Sequence, residues 1–186
     1  MRNLKTKSVI IRRFEKEDTD RLYEIFNNNN KIINISNFTI NGSKVEMKMI
    51  INSAIMEYHT EETIWALEEK NTKELFGLIK IDNYSPKNKM CKISWATLES
   101  NKNELLITQA LKKVMNYLFN KKDIELIECS YYGQSKETGE ILNNIGMKKE
   151  AVLKHRRFNE NTKKKEDFII YSIDINDFKE LKLCNA

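Results

Sequence analysis

Residues 93–119, ISWATLESNKNELLITQALKKVMNYLF, set the architecture predicted for the chain. The first of these residues, 93–98, are apolar and β-prone, which predicts a buried strand. The polar residues 99–103 predict a loop. Apolar residues then recur at the 3.6-residue period of a helix with one buried face, at Ile107, Ala110, Leu111, Val114 and Leu118. A helix beginning near Lys102 is therefore predicted directly after a strand, where main-chain N–H groups are able to hold a phosphate.

The residues on either side extend this unit into a sheet. Residues 124–132 predict another strand, and Ile141, Leu142 and Ile145 mark one side of a short helix. Gly146 stands where the C-cap of that helix is expected. Upstream, β-prone segments separated by turn-forming residues predict an antiparallel meander, with strands at residues 64–69, 75–82 and 90–98.

The two ends of the chain supply the remaining elements. Asp18 or Thr19 is placed to cap a first helix. Ser43 and Glu46 form a capping box for a second helix over residues 43–59. The predicted buried sides of the two helices are Leu22, Ile25 and Phe26, and Met47, Ile50, Ile51, Ala54, Ile55 and Tyr58. With strands at residues 9–14, 147–158 and 167–175, the order predicts an α+β fold, a mixed, mostly antiparallel sheet of about seven strands flanked by about four helices.

Length and composition favour one domain. The chain has 186 residues and no linker rich in proline, glycine or serine, so residues 1–186 are predicted to form a single domain. No apolar run approaches the roughly 20 residues that span a bilayer, which predicts no membrane association and a cytoplasmic location. The cysteines at positions 91, 129 and 184 lack metal-ligand spacing and are predicted to be reduced thiols, so no metal is expected.

The charges are mixed in sign. A net charge of +5 from 32 basic and 27 acidic residues is that of an ordinary solvated surface and argues against a dedicated nucleic-acid face. The strongest local excess is residues 148–165, where eight basic residues stand against Glu150 and Glu160. A nucleic-acid or ribosome-binding role through residues 148–165 stays open as a minor alternative.

Several segments also match the pattern of a known family. The segment VIIRRFEKEDTDRLYEIF, residues 9–26, has the form of an opening strand and helix, and LFGLIKID, residues 75–82, contains Gly77 within a strand. The segment NNIGMKKEAVLKHRRF, residues 143–158, followed by DFIIYSI, residues 167–173, has the form of a helix end, a glycine and a closing hairpin. In order and spacing the chain resembles the GNAT superfamily of acetyl-CoA-dependent N-acetyltransferases, especially the branch of the ribosomal-protein N-terminal acetyltransferases.

The resemblance implies direct attack of a substrate amine on the thioester of acetyl-CoA. In the family two central strands part, and the pantetheine arm pairs with their edges, which here are residues 96–98 and 127–131. A main-chain N–H near Leu98 would polarise the thioester carbonyl, and the start of the following helix would hold the pyrophosphate. The implied cofactor-binding residues are Thr97, Leu98, Asn103, Glu104, Leu105, Leu106, Ile107, Thr108 and Ser135.

The phosphate loop departs from the family pattern. The positions that usually hold small residues are Asn103 and Leu105 here, and none of the five glycines lies in this loop. Glycine allows a close approach to phosphate and a positive φ. The resemblance therefore implies a phosphate loop of the family's length without its signature.

The resemblance also implies catalytic positions. The family's Asn and Ser after the second of the parting strands fall on Ser135 and Thr138. The Thr138 hydroxyl is a candidate to protonate the leaving thiolate, and Tyr131 is an alternative donor, with Tyr132 beside it. Positions where the family often carries a carboxylate fall on Lys92 and near Arg157, so the base stays unassigned among His59, Glu61, Glu62 and His155.

Two functional hypotheses follow. In the first, the protein is an N-acetyltransferase that uses acetyl-CoA as co-substrate and acts on a peptide α-amine or a small-molecule amine. In the second, the fold persists as a non-catalytic binding module with a lost or reassigned cofactor groove. The acceptor amine and the oligomeric state stay open, and an uncovered edge in the final strand pair would permit a homodimer.

Overall fold

The computed structural model describes residues 3–27, 32–34, 43–56, 63–98, 101–133, 135–160 and 162–184. Within these ranges strands and helices are interspersed along the chain. In order they are β1 (Leu4–Lys5), β2 (Val9–Arg12), α1 (Asp18–Asn27), β3 (Ile32–Asn34), α2 (Lys44–Met56), β4 (Thr63–Glu69), β5 (Leu75–Ser85), β6 (Met90–Leu98), α3 (Asn101–Lys121), β7 (Leu126–Tyr132), α4 (Lys136–Asn144), β8 (Lys148–Asn159), β9 (Lys164–Asp174) and α5 (Ile175–Cys184).

All described strands belong to one sheet. Its order is β1-β2-β4-β5-β6-β7-β9-β8, and β3 pairs with β6 outside this path. The β6–β7 pair is parallel, whereas the other described pairs are antiparallel. The prediction of an α+β fold with a mixed, mostly antiparallel sheet is confirmed. The elements beyond the predicted set are β1, β3 and α5, and the two strands are only two and three residues long.

Helices cover the sheet on both faces. The face against α3, here called the α3 face, carries buried residues of β6 and β7 that pack on Ile107, Ala110, Leu111, Val114 and Leu118, and all five of these helix residues are at most 2% exposed. The helical period therefore predicted the buried side of α3. The opposite face, here called the α2 face, is covered by α1 and α2 through Leu22, Ile25, Met47, Ile51 and Ala54. Phe26 and Tyr58 lie outside the side chains that the structure describes.

The predicted N-terminal cap of α2 is confirmed, whereas that of α1 is not. Ser43 and Glu46 form the predicted capping box, with the Glu46 N–H donating to Ser43 Oγ at 3.1 Å and the Ser43 N–H donating to Glu46 Oε2 at 3.3 Å. The prediction that Asp18 or Thr19 caps α1 is wrong. Asp18 lies within α1, accepts the Glu15 N–H, and forms a 2.7 Å ion pair with Arg12. Both oxygens of the Asp18 carboxylate accept hydrogen bonds from the Arg12 guanidinium, which keeps this carboxylate from capping α1.

None of the described helices is long and apolar enough to cross a bilayer. The described cysteines, Cys91 and Cys129, are buried free thiols, and burial raises the pKa of Cys91 to about 12. Burial raises the pKa of Cys129 as well. Over the described ranges no group of three or more histidine, cysteine, aspartate or glutamate side chains is arranged to hold a metal ion.

Candidate functional site

A gap opens in the sheet between β6 and β7. The two strands pair at Met90 with Leu126, Cys91 with Ile127, and Lys92 with Glu128, and no later pair between them is found in the described part of the chain. From Ile93 and Cys129 onward the strands part. A parting of this kind leaves main-chain N–H and C=O groups able to pair with an extended ligand.

The alternation of β6 shows which groups face the gap. The Leu126 N–H of β7 donates to the Lys89 carbonyl oxygen at 3.2 Å, so odd-numbered residues of β6 direct their main-chain groups toward β7. The Ala96 carbonyl oxygen, by contrast, lies against Gly77 of β5. Ile93 and Trp95 therefore present their N–H and C=O groups to the gap.

The end of this edge already has a strand partner. Asn34, Ile33 and Ile32 of β3 pair with Ala96, Thr97 and Leu98. The prediction that residues 96–98 form an open edge is wrong in this conformation, because β3 occupies that edge. Thr97 is also 0% exposed, and its hydroxyl donates to the Phe76 carbonyl oxygen at 3.0 Å.

A buried donor without an acceptor borders the gap. Trp95 is 0% exposed, and its indole Nε1 has no hydrogen-bond partner among the described residues. A buried N–H group without an acceptor costs about 1–3 kcal/mol. A carbonyl group of a ligand that reached this N–H would supply the missing acceptor.

The helix after β6 begins within one residue of the start predicted near Lys102, because α3 starts at Asn101. The loop predicted over residues 99–103 is too long, since residues 101–103 are helical. No glycine or proline interrupts this segment, and Glu104 in the first turn suits the positive end of the helix dipole. Neither Asn103 nor Leu105 is among the described residues with positive φ, so the conformation that favours glycine does not arise at these positions.

The predicted phosphate-binding residues all lie in this helix. Leu105 is 68% exposed, whereas Leu106 and Ile107 are 5% and 0% exposed and pack in the core. The Thr108 hydroxyl donates to the Glu104 carbonyl oxygen at 2.7 Å. From Leu105 onward each N–H has a carbonyl acceptor four residues earlier within α3, so any contact of main-chain N–H groups with a phosphate would be made by the first turn.

The start of α4 brings together Ser135 and Thr138. Ser135 is the N-cap, its Oγ accepts the Thr138 N–H at 3.1 Å, and its hydroxyl donates to Glu137 at 3.1 Å. Thr138 is 1% exposed on the inner side of α4. Ser135 therefore fixes the start of α4, and the Thr138 side chain is buried.

Tyr131 lies on the α3 face of β7. Its ring stacks on Tyr171 with centroids 6.3 Å apart, and its hydroxyl is 3.8 Å from the position that a Cβ atom on Gly139 would occupy. Burial, and then the neighbouring Tyr171, raises the pKa of Tyr131 to about 12. The phenol is therefore protonated at neutral pH, as a proton donor must be.

The structure adds a carboxylate that the sequence patterns missed. Ile127, Cys129 and Tyr131 belong to the core on the α3 face, so Glu128 points to the α2 face. The Glu128 carboxylate lies 3.5 Å from Lys92 Nζ, at the last paired position before the strands part. Among the described residues of β6 and β7, Ala96 alone belongs to the apolar core under α1 and α2. The Glu128 side chain therefore lies outside that core, and it is 25% exposed.

The other candidate bases are not brought to the gap. His155 lies in β8, two strands away from β7, where its imidazole is 68% exposed. Its main-chain N–H donates to Asp167 at 3.0 Å, and Lys154 forms a 2.9 Å ion pair with the same carboxylate. His59, Glu61 and Glu62 lie outside the described residues.

Carboxylates from β9 and α5 offset part of the basic excess in residues 148–165. The Arg157 guanidinium is bound to Glu166 at 2.6 Å and lies 4.3 Å from the centroid of the Tyr132 ring. Lys148 pairs with Asp177 at 2.7 Å. These contacts tie β8 to its neighbours and reduce its net positive charge.

Comparison with known proteins gives a family match. The sequence profile of the Acetyltransferase (GNAT) domain matches residues 8–148 of the chain. The uncharacterized N-acetyltransferase YoaA of Bacillus subtilis (strain 168) is 21% identical over 170 residues, which cover 91% of this chain and 95% of that protein.

Solved structures share the fold at low sequence identity. The ribosomal L7/L12 alpha-N-protein acetyltransferase in complex with coenzyme A superposes with a TM-score of 0.78 at 13% identity, over 95% of this chain and 99% of that chain. The microcin C7 self immunity acetyltransferase MccE, in complex with acetyl-CoA and AMP, superposes with a TM-score of 0.76 at 15% identity, over 91% and 94% of the two chains.

Proposed function

Because the chain belongs to the GNAT acetyltransferase family, we propose that it transfers the acetyl group of acetyl-CoA to an amine. The observation that carries this proposal is the gap between β6 and β7. Two further features support it, namely the main-chain groups of Ile93 and Trp95 at the gap and the buried indole N–H without an acceptor. Acetyl-CoA would supply an acetyl group activated as a thioester.

The residues around the gap suit the parts of this co-substrate. The first turn of α3 offers main-chain N–H groups to the phosphates, and Ile93 and Trp95 offer pairing groups to the pantetheine amides. We propose that the Trp95 indole N–H, which has no acceptor within the described part of the chain, donates to the thioester carbonyl oxygen, which would favour the charge that develops there during attack. Ser135 caps the N-terminus of α4, the helix that follows β7.

We assign the proton transfers to residues on opposite faces of the sheet. On the α2 face, Glu128 accepts the proton that the acceptor ammonium loses before its nitrogen bonds to the acetyl carbon. On the α3 face, Tyr131 keeps its phenolic proton at neutral pH and gives it to the sulfur when the carbon–sulfur bond breaks, with Thr138 as the alternative donor. The second proton, which the nitrogen loses as the amide forms, restores the phenol by way of solvent. This assignment needs the amine to approach from the α2 face, where Glu128 is half-buried.

The acceptor is proposed to be a peptide α-amine or a small-molecule amine. Residues 1–186 are proposed to act as a single unit in the cytoplasm, without a nucleic-acid or membrane partner.

The test is a transfer assay. The protein is incubated with acetyl-CoA and a panel of peptides and small amines, while thiol release and the mass of each amine are recorded. We expect thiol release that depends on one class of amine, with a mass gain of one acetyl group on it. A variant with Glu128→Gln serves as the matched control, because thiol release by hydrolysis alone does not need an amine base. Absence of an acetylated product across the panel would contradict the assigned activity.

A further inference from the structure

The edge of β6 that faces the gap has two partners at different positions. β7 pairs with residues 90–92, and β3 pairs with residues 96–98. Between them, residues 93–95 have no strand partner on that edge among the described residues. The bare stretch is therefore bounded at both ends by strands of the same chain.

That β3 and β7 share one edge follows from the pairing of β5. β5 pairs with β6 at every residue from Lys92 to Thr97. A strand has two edges, so a further strand at residues 96–98 must lie on the edge away from β5, which is the edge of β7. The pairing of Ile33 with Thr97 thus falls on the gap side.

The main-chain groups of Thr97 are directed to the gap. Odd-numbered residues of β6 face this side, so the register makes Ile33 and Thr97 a hydrogen-bonded pair that exchanges two N–H···O=C bonds. Residue 97 is also the next gap-facing position after Ile93 and Trp95. A ligand arm that extends along the edge from Trp95 toward the start of α3 meets β3 at this residue.

From this geometry we infer that β3 is an internal competitor of the cofactor arm. Pairing of residues 32–34 with residues 96–98 and pairing of an acyl-CoA arm with Thr97 are mutually exclusive, so cofactor binding releases β3 from β6. The inference rests on the proposed function, since the arm in question is that of acetyl-CoA. The apparent affinity for the cofactor is then the intrinsic affinity multiplied by the fraction of molecules in which β3 has left the edge.

The first test uses the unmodified protein and amide hydrogen exchange resolved to single residues. Without ligand, the Ile33 and Thr97 amides are both expected to be protected. At saturating coenzyme A, the Ile33 amide is expected to lose protection while the Thr97 amide keeps it, because one partner replaces the other. Binding of coenzyme A with unchanged or increased protection at Ile33 would overturn the inference and leave the proposed function standing.

The second test changes the competitor alone. Ile33→Pro removes the N–H that β3 donates to Thr97, and Ile33→Ala removes the side chain while keeping that N–H. We expect Ile33→Pro to bind coenzyme A about fivefold to tenfold more tightly than Ile33→Ala, the effect of one lost competing hydrogen bond. Equal affinity of the two folded variants overturns the inference. Failure of every variant and of the wild type to bind coenzyme A overturns the proposed function as well.

Discussion

Replacing Glu128 with glutamine is expected to lower kcat for acetyl transfer about 100-fold, the usual contribution of a positioned general base. Glutamine keeps the size of the side chain and removes its ability to accept a proton from an ammonium. The affinity for acetyl-CoA is expected to stay unchanged, because Glu128 points to the α2 face and the cofactor groups are assigned to the α3 face. Steady-state kinetics with the acceptor identified by the transfer assay gives kcat and KM separately.

Two comparisons separate a base from a merely structural carboxylate. Glu125→Gln removes a carboxylate that is paired with Lys89 at 2.7 Å just before β7, and it is expected to leave kcat unchanged. The loss caused by Glu128→Gln is also expected to shrink as the pKa of the acceptor amine falls, since such amines are already deprotonated. An equal loss for amines of high and low pKa would contradict the assignment.

The second large effect is expected at Gly77, where Gly77→Ala should lower the free energy of unfolding by about 1–3 kcal/mol through overpacking. A Cβ atom at this position would lie 2.5 Å from the Ala96 carbonyl oxygen and 3.1 Å from Thr97 Cβ. An alanine side chain fits at this position only if β6 moves away from β5 at the end that borders the gap. Denaturant unfolding measures the loss of stability.

Gly139→Ala is the matched control for Gly77→Ala. The nearest atoms to a Cβ on Gly139 are the hydroxyl oxygens of Tyr171 and Tyr131 at 3.7 and 3.8 Å, an ordinary contact distance, and Gly139 lies within α4. Alanine is favoured over glycine inside a helix by about 1 kcal/mol, so this variant should be as stable as the wild type or more so. A loss at Gly139 as large as that at Gly77 would show that the close approach between β5 and β6 is not the cause.

The sequence predicted the fold where its signals are local. The helical period from Ile107 to Leu118, the capping box at Ser43 and the glycine that ends α4 each depend on residues a few positions apart. Gly146 has the expected positive φ of 89° after the C-cap residue Ile145. Short elements such as β3 escaped prediction because three residues are too few to show a period.

The site was less predictable because it depends on register between distant strands. Glu128 becomes a candidate base through its pairing with Lys92, which lies 36 positions earlier in the sequence, and no local pattern encodes that pairing. The edge of β6 that faces the gap consists of main-chain groups, so no pattern of side chains in the sequence indicates it. The loop before α3 was predicted too long, because polar residues suit both a loop and the first turn of a helix.

The gap between β6 and β7 is expected to bind acetyl-CoA, and calorimetric titration measures this binding. We expect saturable binding at one site in the wild type, and about fivefold to tenfold weaker binding for Trp95→Phe, which loses the indole N–H. Trp65→Phe is the control, because Trp65 lies on β4 away from the gap and packs edge-on against Tyr117 at 6.1 Å. Its affinity should match that of the wild type. Absence of heat and of any shift in Tm at millimolar acetyl-CoA would contradict this expectation.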